Sequence, residues 1–89
     1  MILRCKAFIV DSSDSGPSLI AYAHNNTHAM FLAAEDPEMA GYHPLDFKVT
    51  HLKGERPAAG EAPRVLCHKR KADKEVYLRH GWELSGMKL

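Results

Sequence analysis

Ser18-Leu19-Ile20-Ala21-Tyr22-Ala23-His24-Asn25-Asn26-Thr27-His28-Ala29-Met30-Phe31-Leu32-Ala33-Ala34-Glu35 is the stretch whose reading decides the fold. Its first third is apolar enough for a strand or a helix. Its last third is rich in Ala, Met and Leu, which favour helix. Between them stand Asn25, Asn26 and Thr27. In mid-helix, paired asparagines compete with the backbone for its own hydrogen bonds. At a helix start the same side chains accept the orphan N–H groups of the first turn. The stretch therefore reads as a strand from Ser18 to Ala23 followed by a capped helix from Thr27 to Glu35. Ala29, Leu32 and Ala33 form its apolar stripe, with Met30 and Phe31 beside it, and Pro37 marks its end.

Upstream, Leu3, Cys5, Ala7 and Ile9 alternate with Arg4 and Lys6, so Ile2 to Val10 reads as a strand with one buried face. Phe8 and Val10 interrupt its polar side, which is expected to be partly covered. Asp11-Ser12-Ser13-Asp14-Ser15-Gly16-Pro17 consists almost wholly of turn formers and reads as the loop of a hairpin. Downstream, Glu38 to Pro44 reads as a loop. Leu45, Phe47 and Val49 then alternate with Asp46, Lys48 and Thr50 in a strand from Leu45 to Leu52. Lys53 to Pro63 holds two glycines and two prolines and is irregular. Arg64 to Cys67 reads as a short strand or a helix start. Asp73 to His80 reads as a short helix with Asp73 as N-cap and Gly81 just past its end. Gly81 to Leu84 then reads as a brief closing strand, with Trp82 folding back onto Tyr77.

The fold class that follows is α+β: a small mixed or antiparallel sheet with a ββαβ core and one main helix, plus a short C-terminal helix and a short strand. The helices are expected on one face of the sheet. The 89 residues are read as a single domain, 1–89, with a core at about 1–52 and a basic C-terminal appendage at about 64–84. An apolar fraction of 45% with 26% charged residues is the composition of a globular chain, which argues against disorder. No apolar run approaches the roughly 18 residues that span a bilayer. Arg4 and Lys6 interrupt the first apolar stretch, unlike the uninterrupted core of a signal peptide. A cytoplasmic protein without membrane contact is expected, with Cys5 and Cys67 as reduced thiols.

Net charge is only +1, yet it is unevenly spread. Asp11 to Phe47 carries six acids and no Lys or Arg, whereas Lys48 to Leu89 carries ten basic residues against five acids. Arg64, Lys69, Arg70, Lys71, Lys74 and Arg79 make the densest basic segment. Clustered Lys and Arg release counterions on binding nucleic acid, so these six are candidate nucleic-acid contacts. The competing reading is a solvated turn whose charges partly pair with the acidic half. No Phe, Tyr or Trp interleaves the His68-Lys69-Arg70-Lys71 run to stack bases. An acidic and a basic face on one small domain also suit self-association, and a homodimer is the expected oligomer.

Six histidines are many for this length. His24 and His28 have the i, i+4 spacing of zinc ligands, but the strand-to-helix boundary falls between them and a third ligand would have to come from elsewhere, such as His43 or Glu35, so no metal site is assigned. His51 lies on the apolar side of its strand and reads as a packed, hydrogen-bonded histidine. Tyr22, His28 and His51 are the candidates for a ligand pocket between the helix and the sheet. Phosphate loops, nucleophile elbows and paired-carboxylate spacings are absent, so no catalytic residue and no cofactor is assigned.

Leu19 to Ala23 running through Glu35, then Gly41-Tyr42, the strand Leu45 to Leu52 and the closing Gly81-Trp82 resemble a pattern in small uncharacterised proteins of phages and other mobile elements. About half the chain is covered, and integron-cassette proteins are a related group. The chain departs from that pattern in its helix entry, Asn26-Thr27-His28-Ala29, and in lacking paired cysteines after Gly81-Trp82. The resemblance implies a gene context and no mechanism. Together these readings favour a non-enzymatic binding or interaction module. Nucleic-acid binding through the 64–79 segment is the first alternative, and a small-ligand binder or enzyme with a helix–sheet pocket the second.

Overall fold

The computed structural model of the chain describes residues 4–12, 17–67 and 70–81. The first strand, β1, spans Lys6–Asp11, and β2 spans Ser18–Ala23. They form the expected hairpin, antiparallel, with Ala7 opposite Tyr22 and Val10 opposite Leu19. At its neck, the Ser18 hydroxyl donates to the Asp11 carboxylate. Helix α1 covers Asn26–Ala34. Of the asparagine pair, Asn25 is the cap, its side chain accepting from the His28 N–H at 2.8 Å, and Asn26 opens the helix.

Beyond α1 the chain makes two short 3₁₀ turns, Pro37–Met39 and Pro44–Asp46. Pro44 opens the second turn and draws Leu45 and Asp46 into it, so β3 is Lys48–His51 and not the longer strand the alternation predicted. Leu45 is 80% exposed. Strand β3 pairs antiparallel with β1, Phe8 opposite His51. After the irregular stretch through Pro63, β4 (Arg64–Val65) pairs antiparallel with β2, and helix α2 (Lys71–Arg79) closes the described chain. The sheet order is β3-β1-β2-β4, antiparallel throughout. The molecule is a small α+β fold, and none of its described helices is long and apolar enough to cross a membrane.

The helices lie on opposite faces of the sheet, not on one. Phe8, Val10, Leu19, Ala21 and Ala23 point to one side and form a core with Ala29, Ala33 and Met39. Ala7, Ile20 and Tyr22, of opposite parity, form a second core with Cys5, Leu66, Val76 and Tyr77. All six residues of β2 are buried, as expected of a strand covered on both sides. Small side chains at Ala21, Ala23, Ala29 and Ala33 sit at the α1 interface, where they permit close approach of helix and strand. The 64–79 segment supplies an edge strand and the helix that covers the second face.

Candidate functional site

Helix α2 is held by one tyrosine and two carboxylates. The Tyr77 hydroxyl accepts from the Ile20 N–H at 3.0 Å and donates to the Leu66 carbonyl at 2.9 Å, bridging β2 to the chain leaving β4. Burial pushes its phenol well above the ordinary tyrosine value. Asp73 is not the N-cap of α2, since Arg70 occupies that place. Within the first turn, its carboxylate accepts from the two terminal Arg64 guanidinium nitrogens, at 2.8 and 3.0 Å, and from the Cys67 N–H at 2.8 Å. Burial alone would raise the Asp73 pKa. The Arg64 hydrogen bonds and the Cys67 N–H outweigh it and hold the carboxyl below its usual range. Arg64 also bonds Glu61 at 3.1 Å and lies over the Tyr22 ring, 5.5 Å from its centroid.

At the other end of α2, Glu55 receives Arg79 at 2.8 Å and stands 3.1 Å from His80 Nε2. This clamp fastens the segment after β3 to the helix. A cavity of about 390 Å³ opens beside it, lined by Arg4, Cys5, Lys6, His51, Lys53, Glu55, Arg56 and Pro57. The β1–β3 register builds it: Leu52 N–H still donates to the Ala7 carbonyl at 2.8 Å, so the start of β1 lies against the chain leaving β3. That juxtaposition brings Arg4 and Lys6 to Lys53 and Arg56, about fifty residues away in sequence.

The cleft is strongly cationic. Arg4, Lys6, Lys53 and Arg56 are exposed, and none makes an ion pair among the described residues. The one carboxylate among the described lining residues, Glu55, is already engaged by Arg79 and His80. A sphere of that volume is about 9 Å across, close to the Debye length of ~8 Å at physiological ionic strength, so the four cations act on a shared interior. His51 adds an exposed imidazole whose ring sits 5.4 Å from that of Phe8. Cys5 is buried, its S–H directed at the Glu61 carbonyl at 3.3 Å, and burial followed by the Glu61 charge raises its pKa. It lies in the wall as a buried thiol.

The residues singled out from sequence are dispersed. Of the six in the basic segment, Arg64 and Arg79 are committed to Asp73, Glu61 and Glu55. Arg70, Lys71 and Lys74 are exposed around the start of α2, and Lys69 lies outside the described residues. Tyr22, His28 and His51 do not meet in one pocket. Tyr22 belongs to the α2 face, His51 pairs across from Phe8 on the α1 face, and His28 turns its Nδ1 to the His24 N–H at 3.3 Å. His51 does line the cleft, though as an exposed residue and not a packed one. The expected closing strand with Trp82 lies outside the described residues, and among the described residues no group of three or more His, Cys, Asp or Glu could hold a metal ion. Compared with known proteins, the chain matches no family model, no curated protein and no solved structure.

The cleft was missed because its cations are split between two distant segments, each too short to register as a basic run. The available signal was the alternation itself. Arg4 and Lys6 at the start of one strand, and Lys53 and Arg56 after another, meet when the two strands pair antiparallel.

Proposed function

We propose that this protein is a binding module for an anionic, phosphate-bearing ligand, held in the cleft formed by Arg4, Lys6, Lys53 and Arg56 beside His51. The observation that carries this reading is the imbalance of charge there: among the described residues, four exposed cations face one cavity whose one carboxylate, Glu55, is spent on α2. Like charges gathered without counterions cost stability, and a bound anion relieves that cost. The described lining favours recognition over turnover, since Glu55 is engaged by Arg79 and His80 and Cys5 is buried. An NMR titration with pyrophosphate tests the reading. Amide shifts are expected to concentrate in residues 4–6 and 51–57, to weaken with added salt, and to vanish in an Arg4→Ala/Lys6→Ala variant. Shifts confined to residues 70–74 would move the site to the start of α2 and overturn the proposal.

A further inference from the structure

The shape and charge of the cleft point to its ligand class, and this inference rests on the reading just given. We infer that the ligand presents two or three linked phosphates, as in an inorganic polyphosphate or the phosphate chain of a nucleotide, and not the extended backbone of a nucleic acid.

Charge stoichiometry supports this. A terminal phosphate carries about −1.5 to −2 at neutral pH and an internal phosphate of a linked chain about −1, so a diphosphate brings about −3 and a triphosphate about −4 against the four cations, which a single phosphate cannot balance. The cations also converge. Arg4 and Lys6 approach from the β1 side and Lys53 and Arg56 from the β3 side, around a single cavity of about 390 Å³. That volume falls in the range of small-molecule sites, about 300–1,000 Å³. A guanidinium from each side offers paired N–H donors suited to phosphate oxygens, while the lysines act as point charges.

An extended strand needs a continuous cationic track, and the described surface does not supply one. The two arginines that would carry a track along α2 are both engaged, Arg64 by Asp73 and Glu61 and Arg79 by Glu55. Arg70, Lys71 and Lys74 gather at the start of α2, whereas the Glu55 clamp marks its end. At 1.5 Å per residue, Lys71 and Arg79 are about 12 Å apart along the helix axis, with exposed Glu75 and Leu78 between them. Single-strand binding also relies on successive stacking platforms. Among the described residues lining the cleft, His51 is the one aromatic ring.

Calorimetric titration of the full chain with tripolyphosphate, orthophosphate and an unphosphorylated twelve-residue thymidine oligonucleotide, at one ionic strength, tests the inference. Tripolyphosphate is expected to bind at least tenfold more tightly than either of the others. A Lys53→Ala/Arg56→Ala variant should lose at least tenfold of that affinity, and Lys71→Ala/Lys74→Ala should lose none. Circular dichroism of each variant without ligand checks that the fold is kept, and single substitutions replace any double variant that fails. Tighter binding of the oligonucleotide would overturn the compact-ligand inference while leaving an anion site in place. Equal affinities for orthophosphate and tripolyphosphate would also overturn it. Binding of no anion, or binding unaffected by Lys53→Ala/Arg56→Ala, would remove the cleft reading itself.

Discussion

Tyr77 performs a backbone's task with a side chain. Strand β4 contributes only Arg64 and Val65 to the ladder, so the Ile20 N–H and the Leu66 carbonyl need a partner beyond its end. The phenol oxygen serves both from a position with no solvent exposure. A Tyr77→Phe substitution keeps the ring and removes the bridge, leaving two buried polar groups unmatched. Each such group costs about 1–3 kcal/mol, so the urea midpoint is expected to fall clearly. An unchanged midpoint would contradict the bridging role. The sequence marked Tyr77 only as a contact for Trp82; that its hydroxyl enters the sheet depends on where α2 docks.

Between elements, two carboxylates fasten α2 to the rest of the fold, Asp73 to Arg64 and Glu55 to Arg79 and His80. For both, burial works to raise the pKa and the hydrogen-bonded cations outweigh it, so the folded values lie below the ordinary ones. A depressed folded pKa means that the unfolded chain takes up protons first on acidification. Stability conferred by both groups is therefore full above the ordinary carboxylate range and is lost as pH falls toward the folded values. Thermal melts across that range should show a falling midpoint, and Asp73→Asn together with Glu55→Gln should flatten the dependence. A midpoint just as steep in the double variant would assign the acid sensitivity to other groups. Glu55 also lies at the cleft wall, so freeing it matters for binding. Arg79→Ala should release the carboxylate toward Lys53 and Arg56 and weaken anion affinity several-fold, with Glu55→Gln/Arg79→Ala restoring it.

At the scale of the whole molecule, the sheet has two covered faces and a core on each. A chain ending at residue 67 would lose Val76 and Tyr77 and open Ala7, Ile20 and Leu66 to water. Burying a large apolar side chain contributes about 1.5–3 kcal/mol, and a small domain has a net stability of about 5–15 kcal/mol, so such losses take much of the margin. The truncated chain is expected to show no cooperative urea transition by circular dichroism. A sharp transition near that of the full chain would show that residues 1–67 fold without α2.

What the sequence determined by itself is local. Asn25 to Thr27 separated strand from helix, Ser18 to Ala23 was bounded correctly, and Gly81 stood where α2 ends with positive φ. Each rests on backbone chemistry within a few residues, which neighbours in space do not alter. The interruption of the polar side of β1 by Phe8 and Val10 hinted at a second covered face, but only docking showed both faces buried. Tertiary structure alone decided where the charges went. Arg64, first in the basic run, turned inward to Asp73, because pairing β4 with β2 brings the start of α2 over it. The cationic cleft formed from Arg4, Lys6, Lys53 and Arg56, which no linear reading groups together. Hydrogen-bond register is a long-range property, and in this chain it placed the candidate site away from the segment where basic residues are densest in sequence.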